Sequence, residues 1–137
     1  MPKLDAAGIE AFIAEHFSRV TGWVHIEEVT DYRVRVRLPY RDTSLRPGGT
    51  ISGPTLMALA DTAMYYLVLS QIGPAIHTVT VNLTINFLRR PEPGELIAEA
   101  ELLKLGRKLA VGDVRIHSLG HKDPVAQATV TYSVPSS

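Results

Sequence analysis

The stretch that decides the fold is PGGTISGPTLMALADTAMYYLVLSQ, residues 47–71. It predicts a glycine-rich loop that runs directly into one long helix. Pro54 suits the first helical position, because its missing N–H would have no partner there, and Ser52 is the natural helix cap. From residue 54 to residue 71 the side chains are apolar on nearly every side, so we expect other structure to enclose this helix.

One residue breaks the apolar pattern of the predicted helix. Asp61 falls near its middle, where aspartate is a poor helix former. The neighbours three and four positions away on the helix are Met57, Ala58, Met64 and Tyr65. A carboxylate in such surroundings must be compensated or useful, which makes Asp61 the first candidate for a functional residue.

Composition limits the classes of protein to consider. The chain has 137 residues, with 14 basic and 14 acidic side chains and no cysteine. We expect a single domain over residues 1–137. A formal net charge of zero provides no electrostatic case for binding nucleic acid or an anionic membrane surface. The lack of cysteine excludes disulfides, thiolate metal sites and a cysteine nucleophile.

The residues of the sequence also bear on cellular location and metal binding. Residues 1–15 carry three acids and lack the basic and apolar regions of a secretory signal. The apolar helix contains Asp61 and lacks flanking cations, which argues against a membrane span. We therefore expect a cytoplasmic protein. The histidines at positions 25, 77, 117 and 121 have no second ligand at metal spacing, so no metal site is predicted.

Hydrophobic spacing predicts the elements around the central helix. We expect a short amphipathic helix over about residues 4–17, a β-hairpin over 23–40 and a polar loop over 41–49. Gly73 and Pro74 end the central helix. Four strand-like segments follow, at 76–88, 96–105, 109–118 and 125–134. Because short turns separate them, we predict an antiparallel meander in which each strand pairs with the next.

The first of these four strands has one apolar and one polar face by simple alternation. Thr80, Asn82, Thr84 and Asn86 fall on the polar face. A helix that is apolar on most sides, followed by enough strand to wrap it, predicts an α+β fold with a curled antiparallel sheet around one long central helix. The edges of such a sheet need protection, which continuation into a second subunit would provide.

With these elements placed, the chain from about residue 22 to residue 132 resembles the hotdog-fold acyl-CoA thioesterases of the PaaI-like branch. The resemblance rests on GGTISG at 48–53, ALADTA at 58–63 and NLTINFLR at 82–89. The family's loop commonly reads His-Gly-Gly, with an acid two helical turns further on. Gly53 matches the first glycine and Asp61 the acid. Ser52 replaces the histidine, Pro54 the second glycine, and Arg46 stands where some members have asparagine.

The resemblance implies hydrolysis of acyl-CoA thioesters to free acid and coenzyme A in a homodimer or a dimer of dimers, with each site shared between subunits. It implies no cofactor, since coenzyme A enters as part of the substrate. Asp61 would be the general base or the nucleophile, the Gly53 N–H would polarise the carbonyl, and Thr80 would orient the water. The candidate catalytic residues are Asp61, Gly53, Ser52 and Thr80. The candidate substrate-binding residues are Arg46, Thr62, Asn82, Arg89, Arg90, Arg107 and Lys108, the last four as contacts for the coenzyme A phosphates.

Other interpretations stay open on the sequence alone. A mid-helix aspartate can be a structural hydrogen-bonding residue, and Ser52 and Gly53 can serve as a helix cap. A non-catalytic acyl-thioester-binding or assembly protein is the main alternative, because Ser52 and Pro54 depart from the family's loop. An enoyl-thioester hydratase fits less well, since such enzymes pair the acid with a catalytic histidine and this loop has none.

Overall fold

The computed structural model describes residues 2–17, 22–41 and 49–135. Its elements in chain order are α1 Ala6–His16, β1 His25–Thr30, β2 Arg33–Leu38, α2 Gly53–Ile72, β3 Thr80–Phe87, β4 Leu96–Leu105, β5 Leu109–Ser118 and β6 Pro124–Ser133. Both predicted helices and the hairpin are confirmed. The candidate residue Arg46 and most of the predicted loop over residues 41–49 lie outside the described residues.

The six strands form one antiparallel sheet in the order β1-β2-β4-β5-β6-β3. The predicted meander holds for β4, β5 and β6, but the prediction that β3 pairs with β4 is wrong, because β3 pairs with β6 at the sheet edge. A link of eight residues, 88–95, reaches up to about 27 Å. Three strand spacings take only about 14 Å, so this link can carry the chain past two strands. Pro91 and Pro93 also remove N–H groups that a tight hairpin would use.

Helix α2 lies in the concave face of this sheet and provides the centre of the core. Its inward residues include Leu59, Ala63, Met64 and Leu67, all fully buried. Small side chains occupy six of the strand positions that face the helix, which lets helix and sheet approach closely there. These positions are Ala98, Ala100, Ala110, Gly112, Ala126 and Ala128. The predicted enclosure of the helix is therefore largely confirmed.

The enclosure of α2 is incomplete along one stripe. Met57, Ala58, Asp61, Thr62 and Tyr65 recur at helical spacing and are half-buried or exposed, in contrast to the neighbouring positions. Helix α1 packs near this side of α2 through Ile9, Phe12 and Ile13. The stripe thus leaves Asp61 accessible on an otherwise buried helix.

The convex face of the sheet is charged. The Arg33 guanidinium lies 2.7 Å from the Glu101 carboxylate on the next strand, and Arg35 and Arg37 both donate to Glu27 at 3.0 Å. The hydrogen bond from Arg35 lowers the pKa of the Glu27 carboxyl. These charged cross-strand pairs cover the convex face, which is therefore exposed to solvent. Within the described ranges, no helix is long and apolar enough to cross a membrane.

The closest approach between helix and sheet predicts a stability effect. A Cβ at Gly112 would overlap the Met64 sulfur and lie 3.1 Å from the Glu101 carbonyl oxygen. We expect Gly112→Ala to reduce the free energy of unfolding by about 1–3 kcal/mol, as for other overpacked cores. Urea denaturation followed by circular dichroism measures this loss. An unchanged unfolding midpoint with an unchanged slope would contradict the close approach.

Candidate active site

The carboxylate of Asp61 accepts two hydrogen bonds at one oxygen. Thr80 Oγ1 donates to Oδ1 at 2.7 Å, and the Tyr132 hydroxyl donates to the same Oδ1 at 2.7 Å. The Tyr132 hydroxyl also lies 3.1 Å from the Asp61 backbone carbonyl oxygen. No hydrogen bond reaches Oδ2 from any residue that the structure describes. One carboxylate oxygen is thus held by two hydroxyls, and the described residues leave the other without a donor.

A β-bulge brings Thr80 to this position. The register of β3 against β6 shifts between Thr80 and Asn82, so that Thr80 pairs with Tyr132 and Asn82 with Thr131. The extra residue, Val81, reverses the alternation of the strand. The prediction that Thr80 shares the polar face of Asn82, Thr84 and Asn86 is therefore wrong. Thr80 faces the helix, whereas Asn82 lies away from Asp61 and accepts a hydrogen bond from Thr84.

Asp61 opens into a cleft of about 380 Å³ that is mostly aromatic and apolar. Its lining residues are Ile13, Phe17, Trp23, Ala58, Asp61, Thr62, Tyr65, Tyr66 and Tyr132. The rings of Tyr65 and Tyr132 are stacked, with centroids 5.8 Å apart and planes inclined by 15°. Thr62, a predicted substrate-binding residue, lines this cleft. The cleft can hold an apolar group with its polar end against Asp61.

Burial raises the pKa of the three tyrosine hydroxyls around the cleft. It raises the pKa of Tyr66 to about 12, and it raises that of Tyr65 as well. The pKa of Tyr132 is raised further, first by burial and then by the hydrogen bond to the Asp61 carboxylate. All three hydroxyls therefore keep their protons at neutral pH, and Tyr132 is a hydrogen-bond donor to Asp61.

A second feature lies at the N-terminus of α2. The Ser52 hydroxyl accepts a hydrogen bond from Thr55 N–H at 3.2 Å, so Ser52 is the helix cap. Pro54 has no N–H. The Gly53 N–H donates to no residue that the structure describes, and it lies at the positive end of the helix dipole. A cleft of about 360 Å³ beside Gly53 is bordered by Phe87, Arg89 and Arg90.

The two features lie at opposite ends of the chain's sheet. Eight residues separate Gly53 from Asp61, a distance of about 12 Å along a helix. The β3–β6 register places Gly53 and its neighbour Phe87 at one end and Thr80 at the other. Arg89 and Arg90 follow β3 at the Gly53 end. Arg107 and Lys108 lie in the β4–β5 turn at the Asp61 end, since Leu109 pairs with Ser133.

Sequence reasoning missed Tyr132 and the aromatic lining of the cleft. A signal for Tyr132 was available, because it follows Ala126, Ala128 and Val130 at every second position and so faces the helix with them. A buried tyrosine hydroxyl normally finds a polar partner, and Asp61 is the one charged residue of helix α2. Among the described residues, no three His, Asp or Glu side chains are grouped as a metal site would require.

Comparison with known proteins identifies the class to which this arrangement belongs. The thioesterase superfamily model matches residues 48–125. A protein of Halobacterium salinarum that carries an esterase name is 30% identical over 116 residues, 81% of this chain and 76% of the relative. This chain is a member of the thioesterase superfamily.

Solved structures agree with that assignment. A structure from a Silicibacter species that carries a thioesterase name is 43% identical, with a TM-score of 0.90 over 98% of this chain and 94% of that one. The Escherichia coli PaaI protein from the phenylacetic acid degradation operon shares the fold, with 24% identity and a TM-score of 0.81 over 96% and 94% of the two chains. The predicted hotdog fold is confirmed, and the likeness to the PaaI protein is a likeness of fold.

The cap assigned to Ser52 yields a prediction about its role. We expect Ser52→Ala to reduce the free energy of unfolding by about 1 kcal/mol, because the Thr55 N–H loses its acceptor. Ser52→Asp should keep most of that stability, since a carboxylate also caps a helix N-terminus. Thermal unfolding of the three proteins measures the difference. Equal stability of wild type and Ser52→Ala would mean that Ser52 is not the cap.

Proposed function

We propose that this member of the thioesterase superfamily hydrolyses acyl-CoA thioesters to a free acid and coenzyme A. Membership supports thioester hydrolysis in general. The observation that carries the finer proposal is the Asp61 carboxylate, whose Oδ1 accepts hydrogen bonds from two hydroxyls and whose residue lines a mostly apolar cleft. An acyl chain suits the cleft, and its carbonyl carbon would then lie near Oδ2.

Two routes to hydrolysis are open to Asp61. As a general base, its Oδ2 takes a proton from water while the water oxygen attacks the thioester carbonyl, and the thiolate of coenzyme A leaves and is protonated. As a nucleophile, Oδ2 attacks the carbonyl, forms a mixed anhydride and releases the thiol before water hydrolyses the anhydride. Both routes build negative charge on the carbonyl oxygen. A free N–H such as that of Gly53 would stabilise this charge.

The site is incomplete within one chain. An oxyanion donor has to lie about 3 Å from the carbonyl oxygen, and Gly53 is about 12 Å from Asp61 along the helix. Antiparallel pairing of β3 with β3 of a second copy would place the Phe87 end of the partner beside Thr80. Gly53, Arg89 and Arg90 of the partner would then approach Asp61, at the end of the sheet that also carries the turn with Arg107 and Lys108.

The two edges of the sheet differ in a way that supports this pairing. The β1 edge carries Glu27 and Glu28, and charge on an edge strand discourages pairing with another chain. The β3 sequence TVNLTINF has no charged residue. Val81 and Phe87 on this strand are exposed, as is Met57 on the uncovered stripe of α2. A homodimer through β3 would cover these groups, and a dimer of dimers stays compatible with it.

Localisation and cofactor requirement follow from the same proposal. Neither route of hydrolysis calls for a cofactor beyond the coenzyme A carried by the substrate. Acyl-CoA esters are made and used inside cells, which is consistent with the predicted cytoplasmic location.

A non-catalytic acyl-thioester-binding protein is the competing function. Ser52 stands where the family commonly has histidine, and its hydroxyl is engaged with Thr55 at the helix cap. Such a protein would saturate with acyl-CoA without turnover. An enoyl-thioester hydratase is less well supported, because no histidine is among the residues that line the Asp61 cleft.

The catalytic role of Asp61 is tested with a panel of acyl-CoA esters and release of free thiol. We expect wild-type turnover, and we expect Asp61→Asn to retain less than about a tenth of it, a loss of more than about 1.4 kcal/mol of barrier stabilisation. Asp113→Asn is the matched control, since Asp113 pairs with Gln127 away from the cleft and should leave turnover unchanged. Binding without turnover by the wild type would favour the non-catalytic function.

The shared site is tested by charging the β3 edge. Val81 and Leu103 are exposed to the same degree, 57% and 58%. We expect Val81→Lys to weaken the dimer and reduce turnover, because an edge lysine opposes strand pairing. Leu103→Lys on β4 should remain dimeric and active. Sedimentation velocity and thiol release on both variants measure this, and a fully active monomeric wild type would overturn the shared site.

A further inference from the structure

We propose that Tyr132 is the positioning residue of Asp61. Together with Thr80 it binds Oδ1, so that Oδ2 is the one carboxylate atom left to take the proton from water or to attack the thioester. This inference rests on the proposed function, since it assigns a role within the same site. It starts from the two hydroxyl donors that meet at Oδ1, each at 2.7 Å.

The direction of the Tyr132 hydrogen bonds is determined by the two acceptors. The hydroxyl lies 2.7 Å from Asp61 Oδ1 and 3.1 Å from the Asp61 carbonyl oxygen. A backbone carbonyl oxygen can only accept, and an ionised carboxylate oxygen can only accept as well. The tyrosine must therefore supply the proton. Because one hydroxyl contacts both the side chain and the backbone of Asp61, it fixes the carboxylate relative to the helix.

Tyr132 is held more rigidly than Thr80. Its ring is buried and stacked on Tyr65, whose own hydroxyl donates to the Ala75 carbonyl oxygen at 3.0 Å. The Tyr65 ring meets Phe17 edge-on at 90°. Tyr132 also lies on β6, between two paired strands. Thr80, by contrast, is exposed at the start of the bulged edge strand β3.

Positioning matters here because an aspartate side chain rotates between several rotamers. Oδ2 has to stay within reach of a water or carbonyl carbon in a cleft whose other walls are mostly apolar. A displacement of about 1 Å from the reactive geometry can cost about a hundredfold in rate. Burial raises the pKa of the Tyr132 hydroxyl, so this donor keeps its proton at neutral pH.

The test is Tyr132→Phe, which removes the hydroxyl and keeps the ring stack. We expect kcat for an acyl-CoA ester to fall about tenfold while KM changes less than about twofold, because positioning acts on the chemical step. We expect the same substitution in an Asp61→Asn background to change the residual rate less than about twofold, since residues that act as one unit are not additive. If the double variant loses as much rate as the product of the fold-losses of Tyr132→Phe and Asp61→Asn, the proposal is overturned.

Tyr32→Phe is the matched control. Tyr32 is an exposed tyrosine in the turn between β1 and β2, and it is not among the residues that line the Asp61 cleft. It should keep wild-type kcat and KM. If Tyr132→Phe raises KM and leaves kcat unchanged, Tyr132 contributes to substrate binding only. That result would overturn its positioning role.

Thermal unfolding shows whether each variant is still folded. A variant whose Tm lies above the assay temperature has lost rate and not its fold. If Tyr132→Phe does not fold, Thr80→Val removes the other Oδ1 donor from an exposed side chain, and unchanged kcat in that variant overturns the proposal. A wild type without turnover would overturn the proposed function and this role together. An active wild type with an equally active Tyr132→Phe would overturn this role alone.

Discussion

The enclosure of helix α2 is the constraint on which the rest of the structure depends. A helix of 20 residues that is apolar on most sides must exclude water along most of its length, and one sheet can do this only by curling around it. The strands therefore present small residues to the helix. Alanines on β4, β5 and β6 and Gly112 let the two layers approach, and longer side chains at these positions would hold them apart.

Enclosure also determines where chemistry can occur. Apart from Gln71 and Ile72 at its C-terminal end, the accessible parts of α2 are its N-terminus and one stripe along its side, where its polar groups can meet a ligand. Gly53 lies at the first place and Asp61 at the second. The carboxylate of Asp61 is compatible with its largely apolar neighbours because two hydroxyls from β3 and β6 donate to it. The same contacts that compensate the charge also orient it.

The edge strand β3 is important because Gly53 and Asp61 lie far apart within one chain. Within one chain, the Gly53 N–H at the helix N-terminus and the Asp61 carboxylate lie at opposite ends of the sheet. An antiparallel pair of β3 strands would bring unlike ends together, which makes a two-fold assembly the simplest way to complete the proposed site. The uncharged sequence of β3 suits pairing, whereas β1 at the other edge carries two glutamates.

The sequence by itself determined the elements and the residue on which the proposed site is built. Proline and glycine marked the ends of α2, alternation marked the strands, and Asp61 stood out because a carboxylate is costly among apolar neighbours. These are local signals, since each depends on residues within one or two helical turns or along one strand. The overall α+β arrangement followed, because an enclosed helix and a set of antiparallel strands leave few alternatives.

Only the tertiary structure decided which strands are neighbours and which side chains meet. The link over residues 88–95 is long enough to pass two strands, so its length could not tell pairing with β4 from pairing with β6. One extra residue at Val81 reversed the face of Thr80, an effect that alternation along a single strand does not reveal. The contact of Tyr132 with Asp61 joins residues 71 positions apart. Contacts at such separations depend on how the sheet curls around the helix, because the curl brings β3 and β6 against the accessible stripe of α2.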